Sequence, residues 1–488
     1  MHYNNYPEGN IQKTKISHAN LALGFLCLLC GIICLVIIIS PYIRQMLLSF
    51  AKSNIPRETT NAEESILKRM FIFLPVTGLI LSIIVGILIL SEKSIIATMT
   101  RNIIIVSYFT VTLVAIVIRL PGIQFSSGDY ETFIKPWTSF LAANNHLFGI
   151  NSIKSDYTHF YLFILSLISF LPESIWLISV KLVSSLFDFF LAIICGKIVL
   201  SISYKKENAL AAYSAILLCP TVFINSSIWA QCDSSIYVTF MFLSLLLFIK
   251  GKNNLALFIY GIALTIKLQA IFMFPFIIIL YLYNKYKIGD IIFLFLGFIS
   301  TLIIGLPFGA PKQFLKAFFK QLTSYDGALT HNAPSVYALF NIRNESIPII
   351  QNIGIMFTLG VLVCFILYIL FINSKYPDIG CFNVPFEGGG GYVIIFFFLT
   401  LVIPFLLPKM HERYFFAAEV ASIVFAVLFP RKWWITLVVI LPACATYFNF
   451  LFANTANLFP LAIIMLFGIL FVTKWTIDNI GKRRNYSS

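Results

Sequence analysis

Long apolar runs without charged residues recur along this chain and constrain its fold more than any other feature. Six or more of them hold about 20 nearly uncharged residues, the length that a helix needs to cross the hydrocarbon core of a bilayer. Backbone groups in lipid must be bonded within a helix or a closed barrel, and continuous rather than alternating runs favour helices. Only 11% of the 488 residues are charged, against about 25% in soluble domains. The sequence therefore predicts an all-α, polytopic integral membrane protein.

We predict about thirteen transmembrane spans. The segment 157–172 is apolar but short, so it either crosses the bilayer, dips into it or lies at its surface. The first run is too long for a signal-peptide core and precedes no small-residue cleavage site, so we expect it to be a retained span. The spans are placed near residues 19–43, 70–90, 101–120, 176–200, 209–224, 228–249, 254–283, 289–307, 349–372, 392–408, 414–430, 433–451 and 458–476.

The formal charge of +14 comes from short basic clusters between the spans, which is the positive-inside pattern and argues against nucleic-acid binding. With the basic tail 482–484 in the cytoplasm, the long connection 308–348 and the short turn 409–413 fall outside. If 157–172 does not fully cross and 254–283 is broken near Ala270, segments 121–158 and 229–233 also lie at the outer face. If both are complete crossings, 229–233 moves to the inner face. We prefer the first arrangement, although it leaves the basic segment 44–69 outside.

Nine cysteines are present, most of them inside apolar runs. Cys27, Cys30 and Cys34 share one helical face, but no histidine is near them in the sequence. Buried free cysteines usually behave as small hydrophobic residues. Neither a disulfide framework nor a zinc site is indicated.

Ionisable residues at membrane depth are costly and are therefore candidates for function. The first group, at 128–137, begins just after the span 101–120. Asp129 is placed to remove a proton from an acceptor hydroxyl. In an extended segment Glu131 would point the same way as Asp129 and offer a second oxygen to a cation. Tyr130 and Trp137 are candidate pocket residues, although a solvated loop with interfacial aromatic residues would look the same.

The second group, at 409–416, places four ionisable residues between two apolar spans and follows them with three aromatic residues. A turn between spans needs polar groups, but such turns more often contain Gly, Asn or Ser. His411 and Arg413 are suited to binding a phosphate at the membrane surface, Arg413 in a bidentate manner. Glu412 and Tyr414 belong to the same pocket.

The third group is 229–233, with Trp229, Gln231 and Asp233, and the fourth is 267–269, with Lys267 and Gln269. Asp233 and Lys267 interrupt apolar helices. They either pair with each other as a structural bridge, or Lys267 offers a point charge to a phosphate.

Three weaker candidates complete the set. Asp156 and Tyr157 end the loop 121–158, where they either cap the following helix or form part of the pocket wall. Asp188 lies inside the span 176–200, where a role in helix packing is as reasonable as a functional one.

In this order these residues resemble the GT-C superfamily of membrane glycosyltransferases, and most of all the bacterial relatives of the PIG-V-type GPI mannosyltransferases. The resemblance covers roughly residues 100–430, and the most specific element is His-Glu-Arg-Tyr-Phe-Phe at 411–416. The family pattern Trp-Gly-Gln-x-Asp maps onto 229–233 with Ala230 in place of Gly. Its Asp-Tyr-Pro-Pro reads Asp-Tyr-Thr-His at 156–159.

The resemblance implies a GT-C-like bundle with a catalytic outer loop, in which 101–430 is the catalytic core. Residues 1–100 would then be extra spans, and 431–488 would hold the last spans and a basic tail. It also implies transfer of a mannose-like hexose from a polyprenyl-phosphate donor to an acceptor hydroxyl on the extracytoplasmic face. Asp129 maps onto the catalytic carboxylate of the family, and we assign Arg413, His411 and Lys267 to the donor phosphate.

No cofactor is required by this mechanism, and a divalent metal between Asp129 and Glu131 is an option that it does not need. A transporter or flippase, or a polymerase of lipid-linked polysaccharide, would show similar hydropathy. A transporter would more often show internal repeats, and a polymerase should carry arginines in its late outer loop. The sugar and the acceptor (a lipid, a glycan or a protein) stay open. We expect a bacterial plasma membrane, or the endoplasmic reticulum if the source is eukaryotic.

Overall fold

The computed structural model of the chain describes residues 97–231, 233–284, 287–323, 328–342, 348–375, 389–452 and 457–479, with isolated positions between 40 and 79. The predicted spans 19–43 and 70–90, the three cysteines within 27–34, the segment 44–69 and the basic tail lie outside the described residues, apart from those isolated positions. The side chain of Asp233 is also outside them.

The described residues are mostly helical, in agreement with the predicted all-α class. A single pair of two-residue strands, β1 (Thr330–His331) and β2 (Met410–His411), occurs in this part of the chain. The helices in chain order are α1 (Ala97–Arg119), α2 (Lys135–Ala143), α3 (His159–Ile168), α4 (Trp176–Ser203), α5 (Lys206–Leu218), α6 (Pro220–Phe223), α7 (Asp233–Ile249), α8 (Asn253–Ile266), α9 (Phe274–Asn284), α10 (Ile292–Gly305), α11 (Ala310–Thr323), α12 (Val336–Leu339), α13 (Pro348–Lys375), α14 (Gly390–Leu406), α15 (Phe416–Leu428), α16 (Trp434–Leu451) and α17 (Leu458–Asn479).

Six helical stretches among the described residues are long and apolar enough to cross a membrane, and a seventh exists if α5 and the bent segment after it form one span. This is consistent with an all-α polytopic membrane protein, but thirteen spans are not confirmed. Five further apolar helices are shorter, including α3 within the ambiguous segment 157–172. Hydropathy alone counts such helices as spans because they are as apolar as the long ones.

The protein core is built around α14. Every residue from Gly390 to Phe405 except the partly buried Tyr392 is buried, and α14 packs against α15 on one side. By contrast, α10 and α13 expose large apolar side chains such as Ile304 and Met356, which are 73% and 68% exposed. An apolar outer face is what a bilayer-facing helix requires.

The predicted span 254–283 is broken, as the preferred arrangement required. Helix α8 ends at Ile266, Lys267 adopts an extended conformation, and a 3₁₀ turn over Leu268–Met273 leads into α9. The break lies three residues before Ala270. It brings Lys267 out of the regular helix.

Helices α8 and α10 approach each other closely at two glycines. A Cβ atom on Gly297 would lie 1.9 Å from the carbonyl oxygen of Phe258, and one on Gly261 would lie 2.1 Å from that of Leu294. Small residues permit this approach between membrane helices.

We expect Gly297→Ala to destabilise the protein by about 1–3 kcal/mol, because the added methyl group must push two backbones apart. Thermal unfolding in detergent measures this effect. Gly360→Ala on α13 is the matched control, since a Cβ there meets no atom within 4 Å. Equal unfolding temperatures for the two variants would contradict the close packing.

Asp188 has a structural partner. Its carboxylate lies 3.0 Å from a guanidinium nitrogen of Arg119, and Ser226 also donates to it. Arg119 in turn donates to the carbonyl oxygens of Ala115 and Leu217. This buried network connects α1, α4 and the segment after α6, which supports the helix-packing interpretation.

Candidate functional site

An open cavity lies where the connections after α1, α6, α8 and α14 come together at one end of the bundle. All four candidate groups contribute to it or to its support. Its wall combines charged, amide and aromatic side chains. The lining residues are Asp129, Phe133, Ile134, Trp137, Asp156, Tyr157, Gln231, Ile266, Lys267, Gln269, His411, Arg413, Tyr414 and Phe450.

Asp129 is held by groups from distant parts of the chain. Nε1 of Trp229 donates to its Oδ2 at 3.1 Å, and Nε2 of Gln231 donates to the same oxygen. A guanidinium nitrogen of Arg413 lies 3.7 Å from that oxygen. The carboxylate side chain is only 17% exposed. It is therefore fixed in orientation at the edge of the cavity.

The segment around Asp129 is helical rather than extended. Asp129 precedes a π-helical turn, Tyr130–Ile134, which leads directly into α2. In a helical turn, side chains two residues apart point in different directions. Glu131 consequently lies away from the cavity, accepts a hydrogen bond from Ser126 and lies 3.9 Å from Lys135. The two carboxylates therefore do not lie side by side, as a metal ion bound between Asp129 and Glu131 would require.

Tyr130 also turns away from the cavity and is buried in the core. The loop before it is fixed because the Ser127 hydroxyl donates to the carbonyl oxygen of Trp229 at 2.6 Å. Among the described residues, no group of three or more His, Cys, Asp or Glu side chains is arranged to hold a metal ion.

Trp229 is fully buried and supports the site without lining the cavity. Its ring stacks on Phe450, with centroids 4.5 Å apart, which aims the indole nitrogen at Asp129. Ala230 has a φ of +67°, a left-handed conformation that glycine adopts most easily.

The 409–413 turn is anchored to the connection before α12. Strands β1 and β2 pair in parallel, with His331 opposite His411. The two imidazole rings stack with centroids 4.6 Å apart. Residues from the predicted connections 308–348 and 409–413 therefore lie at the same end of the bundle, as expected.

Arg413 lies between two carboxylates. Its guanidinium is 3.7 Å from Asp129 and 3.7 Å from Glu412, and its side chain is 11% exposed. Burial raises the pKa of Glu412 to about 7, although the positive charge of Arg413 opposes this shift. Glu412 does not line the cavity. It is buried and contacts Arg413 from the protein interior. The guanidinium keeps its charge at any relevant pH and faces the cavity.

His411 and Lys267 complete the polar wall. Burial, followed by the charge of Arg413, lowers the pKa of His411 well below its usual value, which favours the neutral form of the ring. The Nζ atom of Lys267 lies 5.5 Å from the ring centroids of both Tyr157 and Tyr414. These cation–π contacts hold the ammonium group at the cavity wall.

The rim of the cavity carries the remaining candidates. Asp156 pairs with Lys320 of α11, and Tyr157 packs against Trp137 with ring centroids 5.2 Å apart. Gln269 lies in the 3₁₀ turn after the break at Lys267. Asp156 and Tyr157 thus lie in the pocket wall. Of the two interpretations that the sequence allowed, a helix cap or a part of the wall, this is the second.

Lys181 is a residue that our sequence reasoning missed. It is fully buried on α4, and its Nζ donates to the carbonyl oxygens of Gly122 and Phe125, at 2.6 Å for Gly122. These carbonyls begin the loop that carries Asp129. A lysine inside a predicted span was the available signal.

For a reaction that depends on Asp129, we expect Lys181→Met to lower kcat by about 10- to 100-fold while KM stays within about twofold, because a loosened loop misplaces Asp129 without removing a binding group. Lys181→Arg should restore part of the rate. Steady-state kinetics on the purified variants measures both parameters. Lys197→Met, on an exposed face of the same helix, is the matched control. A folded Lys181→Met protein with unchanged kcat would contradict the positioning role.

No protein-family model and no curated protein sequence matches this chain. The assignment of a function therefore depends on the geometry of the cavity.

Proposed function

We propose that this chain is an integral membrane glycosyltransferase of the GT-C type. It transfers a mannose-like hexose from a polyprenyl-phosphate donor to an acceptor hydroxyl on the extracytoplasmic face, in a bacterial plasma membrane. The observation that carries the proposal is the 3.7 Å contact between Asp129 and Arg413 inside an open cavity of a membrane-type bundle. A carboxylate and a permanent cation at one cavity are the two groups that this transfer needs.

Asp129 is the proposed general base. The acceptor hydroxyl gives its proton to Asp129 while its oxygen forms a bond to the anomeric carbon of the hexose. The bond from that carbon to the phosphate oxygen breaks, the configuration inverts, and polyprenyl phosphate leaves. The contacts from Trp229, Gln231 and Arg413 all fall on Oδ2, so Oδ1 is the oxygen that takes the proton.

Arg413 and Lys267 stabilise the leaving phosphate. Negative charge grows on the phosphate as the sugar departs, and fixed cations at that position lower the barrier without reorganising. Arg413 presents several N–H donors in a planar fork, which matches phosphate oxygens. Neutral His411 contributes a hydrogen bond rather than a charge. The aromatic rings of Trp137 and Tyr157 are available to pack against the hexose.

The direct test is incubation of the purified protein in lipid nanodiscs with polyprenyl-phosphate mannose or glucose and an octyl hexoside acceptor. Formation of a disaccharide glycoside together with free polyprenyl phosphate is the expected result. A parallel vesicle assay follows movement of the same lipid-linked sugar between leaflets. Movement without any transfer to the offered acceptor or to membrane extracts would replace the enzyme proposal by transport.

A further inference from the structure

Helix α11 begins directly at the end of a candidate membrane span. The span covers Ile288–Phe308, and the chain then turns at Gly309, whose φ is +74°. The span end marks the membrane surface, so α11 starts at that depth. Its own sequence holds three lysines and no acidic residue over 310–323, which is unlike a spanning helix.

One face of α11 is fixed against the protein. Phe314 packs on Phe298 of α10, with ring centroids 5.3 Å apart, and Gln313 donates to the carbonyl oxygen of Tyr157. Ala317 is also buried on this face. The helix therefore lies along the outside of the cavity rim.

The opposite face is exposed and divided into two stripes. Leu315 and Phe319 are 54% and 62% exposed. Next to them lie the exposed residues Lys312, Lys316 and Lys320, which follow at four-residue intervals and so turn by only about 40° from one to the next. Apolar side chains beside a lysine stripe are typical of a helix that lies in the membrane interface.

We propose that α11 lies in the plane of the membrane interface and that Lys312 and Lys316 bind the headgroups of anionic phospholipids. Leu315 and Phe319 enter the acyl region beside them. Lys320 extends the stripe to the cavity, where it pairs with Asp156. The lipid site is thus adjacent to the cavity mouth. This inference stands without the transfer reaction, because it concerns the leaflet only.

The test places the photo-crosslinking residue p-benzoylphenylalanine at Phe319 of the full chain. The protein is assembled in nanodiscs of equimolar phosphatidylcholine and phosphatidylglycerol, irradiated, and analysed by mass spectrometry for lipid adducts. Each lysine near an anionic surface favours the anionic lipid by on the order of fivefold. We expect phosphatidylglycerol adducts to exceed phosphatidylcholine adducts at least fivefold.

Lys312→Gln combined with Lys316→Gln should bring the adduct ratio close to that of the bulk lipid. The matched control changes Lys205 and Lys206 to Gln, which removes the same charge from exposed positions at the start of α5 and should leave the ratio unchanged. A bulk ratio in the parent protein, or no lipid adducts at all, would overturn the proposal. An adduct ratio like that of the parent after loss of both lysines would also overturn the proposal. An equal fall of the adduct ratio in the control variant would do the same.

Discussion

Replacing Asp129 with Asn is expected to lower the rate of hexose transfer by a factor of about 10²–10⁴, the usual contribution of a general base. Asn keeps the size of the side chain and an oxygen that can accept from Trp229 and Gln231, so the fold of the loop should persist. Removing a negative charge beside the phosphate site should leave donor binding unchanged or tighter. Transfer kinetics and donor binding in nanodiscs measure the two effects separately.

Glu131→Gln is the matched control for this variant. Glu131 is two residues away, carries the same charge, and is 53% exposed outside the cavity. We expect its transfer rate to stay within about threefold of the parent, since a solvated side chain contributes little. If Asp129→Asn turned over as fast as Glu131→Gln, Asp129 would not be the base.

Replacing Arg413 with Met is the second large prediction. The loss of a fixed cation at the leaving phosphate should cost about 10²–10³ in rate. It also leaves Glu412, which is 1% exposed, without its neighbouring positive charge, and loss of one partner of a buried pair destabilises the fold. Transfer rate and thermal unfolding are therefore both expected to fall.

A double variant separates the two effects of the Arg413 change. Arg413→Met with Glu412→Gln removes both charges and should recover most of the unfolding temperature, while the transfer rate stays low. Arg431→Met, at an exposed position after α15, is the control for loss of an arginine as such. Recovery of the transfer rate in the double variant would show that Arg413 serves folding alone.

The sequence predicted the meeting of Asp129, Arg413 and Lys267 because each interrupts or borders an apolar span, where an ionisable residue is retained only for a reason. Nothing in the local sequence around Asp129 predicts the helical turn after it. The residue at the start of that turn is held by the hydrogen bond from Ser127 to Trp229, which lies about a hundred residues further along the chain. The lowered pKa of His411 likewise depends on burial and on Arg413, which only the folded structure brings together.

Six or seven of the thirteen predicted spans are long enough to cross a membrane among the described residues, and the rest are not confirmed for a physical reason. Hydropathy reports how apolar a segment is, but not whether its surroundings are lipid or protein. Helix α14 is as apolar as a lipid-facing span, yet it is surrounded by other helices and is 17 residues long. Lys181 was missed because one lysine in a long apolar helix hardly changes the mean hydropathy of that helix.

The most direct test of the account is a structure of the Asp129→Asn protein with polyprenyl-phosphate mannose bound in a nanodisc. We predict that the phosphate oxygens lie within hydrogen-bond distance of the Arg413 guanidinium, about 3 Å, with the anomeric carbon facing the side chain at position 129. A phosphate bound away from the Arg413 cavity, or at the opposite end of the helix bundle, would contradict the account.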